Sequence, residues 1–361
     1  MDKKRVTQED VAKEAGVHRA TVSLSLRSHP SIPEKTRERV IEAARKLGYA
    51  PDPMLSALAM YRNTTRSHAF HGTLAWLVFT DQRDFDWRDV GVFRQYHQGA
   101  LARAKENGFT LETFEFNPNE IPYDRQASIL KARNIRGILL FPQPLPRVVE
   151  GFPWDDFSMV TFGYSLLKPE LHTVCSTQYR AMLQTMHKLH EKGYRRISLA
   201  IGFGINDRTD NNFLAGYLAA QYRIGEPPLV HQRTWGWDLD AFINRLREEK
   251  PEAVIVDSYY MVNLMKRSGL RIPEDLAVVC PMLSCEQTDV GIAGVTEDGY
   301  HVGEVAVDHL TRMLQRGETG VPEKVLRIHV EGIWHDSPTL PALKRKKAKK
   351  APRSRRKNSQ R

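Results

Sequence analysis

The chain has 361 residues, which at roughly 100–200 residues per domain predicts two or three domains. Its mean hydropathy of −0.47, with no apolar run near the ~18 residues of a spanning segment, excludes a transmembrane helix. The formal charge of +10 points toward nucleic acid, but eleven Lys/Arg and no acid lie in residues 344–361, leaving net charges of +4 for 1–62 and −5 for 63–343.

The opening MDKKRVTQED has no apolar stretch after its basic residues, so it does not read as a secretory leader. Cys175, Cys280 and Cys285 are too few and too scattered for a disulfide framework, and no His or Cys pair completes a zinc pattern. A cytoplasmic setting is expected, with the thiols buried.

Thr7 through Asp10 has the Thr-x-x-acid form of a helix start, followed by apolar Val11, Ala12 and Ala15. Gly16 supplies the reversal, and a second helix from about His18 places Val22 and Leu26 on one face. Pro33-Glu34 opens a third helix through Lys46, whose Val40, Ala43, Ala44 and Leu47 are suited to cover the first two. Two short helices about a Gly-Val turn predict a helix-turn-helix, the second helix reading the DNA major groove.

The stretches Val6-Thr7, Asp10-Val11-Ala12, Ala15-Gly16-Val17 and Thr21-Val22-Ser23 carry a specific signature, continued by Lys35-Thr36-Arg37, Arg39-Val40, Leu47-Gly48-Tyr49 and Pro51. At this spacing the chain resembles the lactose-repressor (LacI) family of transcription regulators. The resemblance implies that Arg19, Ala20 and Leu24 read bases, while Thr21, Ser23, Thr36 and Arg37 hold phosphates, which fix register without reading sequence. Arg19 is of the type that grips guanine O6 and N7, for about 1–3 kcal/mol of discrimination. Thr7, His18, Arg27 and His29 complete the expected contacts of the head. His18 stands where a capping Ser is usual, Leu24 where a polar reader is common, and Arg27 where Asn is usual, so the operator should differ from those of close family patterns.

Residues 1–50 are thus expected to be the DNA-binding domain and 51–71 a hinge helix with linker. Asp52 is suited to cap that helix, with Pro53 at its first position. About ten residues are too few for a stable lone helix. In the family such a helix forms when two copies meet in the minor groove, with Leu58 matching the apolar wedge between base pairs and Leu55 and Ala59 beside it.

From Gly72 strands and helices alternate. Expected strands are Leu74–Phe79, Thr110–Phe116, Gly137–Phe141, Ser158–Phe162, Ile197–Ile201, Ala253–Val256 and Leu276–Cys280. Expected helices run from about Phe93 to Asn107, Tyr123 to Arg133, Tyr179 to Lys192, Asn212 to Tyr222, Leu239 to Glu249, Ser258 to Ser268 and Gly303 to Gln315. This rhythm predicts an α/β body of parallel sheets flanked by helices. The resemblance extends through Gly193-Tyr194-Arg195-Arg196-Ile197, Leu214-Ala215-Gly216-Tyr217 and Ile272 to Val279, and implies a two-lobed, periplasmic-binding-protein-like effector and dimerisation domain over 72–337. Crossovers between lobes are expected near 165–175 and 285–300, with a terminal segment returning toward the first lobe.

The cleft departs from the family. Many members carry Arg where this chain has Phe213, and an aspartate pair where it has Cys280-Pro281-Met282-Leu283. Losing both removes the main reason to propose a simple sugar. Candidate lining residues are Asp81, Phe85, Trp87, Asp207, Arg208, Phe213, Trp235 and Trp237, for an effector whose class stays open. Enzyme readings fail for want of a nucleophile, phosphate-loop or metal pattern, and no cofactor is expected.

The expected function is a sequence-specific regulator, a repressor in the first instance. It binds a near-palindromic double-stranded DNA operator as a homodimer, or a tetramer of paired dimers, under control of a small molecule or partner and away from membranes. An architectural DNA-binding protein with no effector stands as the alternative. Residues 338–361 read as a basic disordered tail, with no hydrophobic period in the last eighteen. Such a tail releases counterions from DNA phosphates without reading bases. Truncation after Leu343 should therefore flatten the salt dependence of DNA affinity while leaving operator preference unchanged, as measured by fluorescence anisotropy across a salt series.

Overall fold

The computed structural model describes residues 6–26, 32–49, 72–81, 86–225, 227–230, 238–284 and 291–343. The head comprises α1 (Gln8–Ala15), α2 (Arg19–Leu26) and α3 (Glu34–Lys46). Thr7 and Asp10 cap α1 reciprocally. The Thr7 N–H donates to Asp10 Oδ2 at 2.8 Å and the Asp10 N–H to Thr7 Oγ1 at 3.4 Å. Gly16 adopts φ 61°, the left-handed conformation that ends α1 without a Cβ penalty. Val11, Val22 and Val40, one from each helix, are fully buried together with Ala12, Ala15, Ala43 and Ala44, and Leu26 and Leu47 pack on their edge. The expected head core is the observed one.

The body begins with β1 (Gly72–Phe79), α4 (Gly91–Glu106), β2 (Phe109–Phe116), α5 (Tyr123–Ala132), β3 (Gly137–Leu140), β4 (Arg147–Val148), β5 (Ser158–Phe162), β6 (Leu166–Lys168) and β7 (His172–Ser176). It continues with α6 (Gln178–Glu191), β8 (Ile197–Ala200), α7 (Phe203–Arg208), α8 (Asn212–Ile224), β9 (Leu229–Val230), α9 (Leu239–Glu249), β10 (Ala253–Val256), α10 (Tyr259–Arg267), β11 (Ala277–Leu283) and β12 (Ala293–Thr296). It closes with α11 (Gly299–Arg316), β13 (Arg327–Val330) and β14 (Ile333–His335).

Two six-stranded sheets define the lobes. The first has the order β13-β7-β5-β3-β1-β2, all parallel. The second has the order β14-β12-β11-β10-β8-β9, parallel except where β14 runs against β12. A small parallel pair, β4 with β6, stands apart. The central strands are apolar and buried along their length because helices cover both faces. In the first lobe α4 and α11 cover one face around Trp76, and α5 with Phe152 and Phe157 covers the other. In the second lobe α6 and α8 cover one face, with Phe213 and Tyr217 buried there, and α9 and α10 cover the other.

The strands and helices expected for the body are present, with ends shifted by a few residues. β11 runs on to Leu283, its register against β12 shifting between Cys280 and Leu283, where Pro281 has no N–H to donate. The short strands β4, β6, β7, β9, β12, β13 and β14 and helix α7 lacked a period long enough to read. The chain crosses between lobes three times, after Ser176, after Thr296 and after Val330. The second crossing carries α11 back to the first lobe, so two segments far apart in sequence, α4 and α11, form one layer. They approach closely at glycines, since a Cβ on Gly303 would sit 2.0 Å from the Tyr96 carbonyl oxygen and one on Gly99 1.8 Å from that of Tyr300.

The expected boundary at 337 is corrected. The Val278 N–H donates to Thr339 O at 3.0 Å, the Ala293 N–H to Thr339 Oγ1 at 2.9 Å, and the Leu343 N–H to Lys192 O at 2.7 Å. Leu340 is buried in the second lobe. Residues 338–343 thus belong to the body, because backbone groups of the second lobe find their partners there. The hinge region at 51–71 and the tail from 344 lie outside the described residues.

Gly303→Val should destabilise the first lobe by about 1–3 kcal/mol or more, since the α4 and α11 backbones would have to separate. A fall in the denaturant midpoint checks this.

Candidate functional site: a DNA-reading head and an interlobe cleft

In the head, the carbonyl of His18 accepts the N–H groups of Thr21 and Val22 at 2.8 and 3.2 Å, so α2 begins there without a serine cap. His18 and Arg19 are exposed at that end, as is Thr7, while Thr21, Leu24, Thr36 and Arg37 are half-buried. Val22 faces the core, and one helical turn places the outward residues on the other side. The Arg37 guanidinium reaches back to Ile32 O at 3.4 Å, which fixes the start of α3. Ala20 and Ser23 lie on α2, and only their backbone is described. Arg27, His29, Leu55, Leu58 and Ala59 lie outside the described residues. An ion pair between Lys46 and Glu14 at 2.6 Å joins α3 to α1 on the exposed surface.

In the body, the carboxyl ends of both sheets face one cavity of about 330 Å³, which suits a small molecule. The first lobe contributes Val90 to Phe93 and Tyr96 from the start of α4, with Pro142, Gly163 and Ser165 after β3 and β5. The second contributes Arg208, Thr209 and Phe213, then Asp257 and Ser258 after β10, Met282 and Ser284 at the end of β11, and Glu297 after β12. A larger hollow of about 610 Å³ lies between α6, α8 and Glu331-Gly332, and its lining contains none of the residues at the start of α4 or after β3, β5, β10 and β11.

Of the expected cleft residues, Arg208 and Phe213 line this cavity. Phe213 is fully buried, which fits an apolar side chain at the position where many family members carry Arg. Asp81, Trp87 and Asp207 do not line it. Asp81 accepts two hydrogen bonds from Arg147 Nη1 at 2.8 and 2.9 Å, and Arg147 also reaches the Tyr123 hydroxyl. Trp87 is buried beside Trp76 and Phe141, its indole N–H donating to Glu115 at 3.1 Å. Its large apolar ring is drawn into the first-lobe core, where burial outweighs exposure to the cleft. Asp207 precedes Arg208 by one residue of α7, and that step turns a side chain about 100° around the axis. Phe85, Trp235 and Trp237 lie outside the described residues.

The residues that sequence reasoning missed are Glu297, Tyr96, Phe93 and Asp257. Glu297 is 7% exposed and accepts a hydrogen bond from Ser176 Oγ at 2.7 Å, across the first and second crossings. Burial raises its pKa, opposed by that hydrogen bond and by the Arg208 charge. Asp257 is buried and accepts the Gly202 N–H at 2.8 Å and the Ser258 hydroxyl at 3.1 Å. No sequence motif marks these positions; Glu297 and Asp257 each follow directly after a strand, while Phe93 and Tyr96 lie in the first turns of α4. Burial also lifts Tyr96 well above the ordinary phenol range and lowers Arg208. Among the described residues, no group of three or more His, Cys, Asp or Glu is arranged to hold a metal ion.

Comparison with known proteins follows this division. Residues 7–52 match the family model described as bacterial regulatory proteins, lacI family, and residues 186–337 match one described as a periplasmic binding protein-like domain. The HTH-type transcriptional repressor CytR of Escherichia coli (strain K12) is 24% identical over 333 residues, spanning 89% of this chain and 93% of that protein. A structure of the transcriptional regulator CelR with cellobiose has a TM-score of 0.55 at 21% identity, covering 93% of this chain and 100% of its own. The lac repressor dimer bound to operator and an anti-inducer gives 0.55 at 19%, covering 94% and 100%. These structures share the fold.

The raised pKa of Glu297 sets the sign of a pH effect. A carboxyl that keeps its proton longer in the folded state stabilises it at low pH, and that contribution is lost as pH rises through the folded pKa. Relative to Glu297→Gln, the native protein should therefore lose stability as pH climbs above the ordinary glutamate range, measured as the difference in denaturant midpoints between about pH 4 and 8.

Proposed function

Taking as premise that the chain belongs to the lacI family of bacterial regulatory proteins, we propose that it is a transcriptional repressor whose grip on an operator is set by a small molecule in the interlobe cleft. The observation that carries this is a capped helix-turn-helix, with His18 and Arg19 exposed at the start of α2, on the same chain as a two-lobed body. Relatives named as repressors and regulators support the reading over almost the whole length.

Two copies would present two heads to the half-sites of a near-palindrome, protein symmetry mirroring DNA symmetry. Arg19 and Ala20 read bases, Thr21, Ser23, Thr36 and Arg37 grip phosphates, and the paired segments around Leu58 wedge the minor groove. The cleft ligand changes affinity only through its different affinities for two lobe arrangements.

Selection of bound fragments from random DNA with the full chain should return an inverted repeat. Arg19→Ala should relax preference at one position per half-site, for about 1–3 kcal/mol. A uniform loss of affinity would make Arg19 a phosphate contact. Leu58→Ser should weaken specific binding far more than non-specific binding, and an equal loss in both would refute the wedge.

A further inference from the structure

Arg208 is the outlier of the cleft. It ends α7 and lines the cavity, its guanidinium 5.3 Å over the ring of Phe93. Its Nε is buried with no hydrogen-bond partner, and among the described residues no hydrogen bond or ion pair to the guanidinium is formed. A guanidinium offers five N–H donors in a planar fork and keeps its charge when buried. Arg208 as a whole is half-buried, and a charge withdrawn from bulk water is ordinarily paired.

The neighbouring acids do not fill the role. Glu297 lies near enough to influence Arg208 electrostatically, yet its carboxyl is engaged by Ser176 and makes no ion pair with Arg208. Asp257 is occupied by the Gly202 N–H and the Ser258 hydroxyl. The tyrosine hydroxyl of Tyr96 is held well above the range in which it would ionise. The cavity thus has an unmatched cation in its lining, apolar rings from Phe93 and Phe213, and hydroxyls from Ser258 and Ser284.

We propose that the cleft takes a hydroxylated carboxylate of monosaccharide size, its carboxylate paired with the fork of Arg208 and its ring or carbon chain lying against Phe93 and Phe213. This rests on the interlobe cleft being the effector site. A bidentate carboxylate satisfies two donors at once and supplies the missing opposite charge. The remaining hydroxyls of the ligand meet Ser258 and Ser284. The chain carries apolar Phe213 where many of its family carry Arg, and Arg208 presents a guanidinium from the preceding helix, in a different place. A neutral hexose would leave that charge unmatched.

Full-length protein is titrated calorimetrically with glucuronate, galacturonate and gluconate, with glucose and galactose as neutral counterparts, and with a hexose phosphate. At least one carboxylate should bind about 30-fold or more tightly than its neutral counterpart, and Arg208→Met should remove that margin. The ligand-free Arg208→Met protein should melt at or above the parent temperature, because an unpaired buried charge gives way to an apolar side chain of similar length. A lower melting temperature would make Arg208 a structural group and overturn the proposal. Neutral sugars binding as well as the acids, the hexose phosphate binding in preference to every carboxylate, or no carboxylate binding at all would each overturn it too. Operator affinity in the same samples separates the two readings. Release of operator by a neutral sugar, unchanged in Arg208→Met, sinks the carboxylate alone; failure to select any operator sinks the regulator.

Discussion

The body is organised around a carboxyl buried where the chain passes from one lobe to the other. Glu297 holds Ser176 at 2.7 Å, which ties the second crossing to the first. The third lies against both: the Thr177 N–H donates to Val330 O at 3.1 Å, Thr177 Oγ1 reaches Glu331 at 3.3 Å, and Gly332 sits so close to Val295 that a Cβ would meet it at 2.5 Å. Any change in lobe arrangement has to turn about these adjoining strands. Glu297 also lines the cleft, so the cavity wall and the crossings share one residue.

The same crossings explain why the lobes are not consecutive halves of the sequence. Helix α11 follows a strand of the second sheet yet packs on α4 in the first, with Arg103 meeting Glu304 at 3.0 Å and Asn107 meeting Asp308 at 3.2 Å. Strand β13 then closes the edge of the first sheet before β14 returns to the second. The first lobe therefore depends on residues from both ends of the body, and the second on a strand, β14, that follows an excursion into the first.

The head works on a smaller scale. Eight-residue helices such as α1 and α2 are too short to persist alone in water. Reciprocal capping by Thr7 and Asp10, the left-handed turn at Gly16 and the meeting of Val11, Val22 and Val40 hold them. With the inward positions committed to packing, the exposed start of α2 is left free to vary with the DNA it reads. Charge is divided likewise: the excess positive charge lies in residues 344–361, apart from the head.

Local chemistry in the sequence determined the head and the alternation of the body. Caps, glycine turns and apolar periods act over a few residues, so Thr7, Gly16, the run from Leu74 to Phe79 and the long helices were legible. Only the tertiary structure decided the cleft and the edges. Trp87 reads as a candidate cleft residue until Trp76 and Phe141 surround it, and residues 338–343 read as tail until Val278 and Ala293 supply their partners. Glu297 has no motif at all, and its role comes from Ser176, 121 residues earlier. Burial and hydrogen-bond satisfaction are properties of what surrounds a residue, and in a chain that crosses between lobes three times those surroundings come from distant segments.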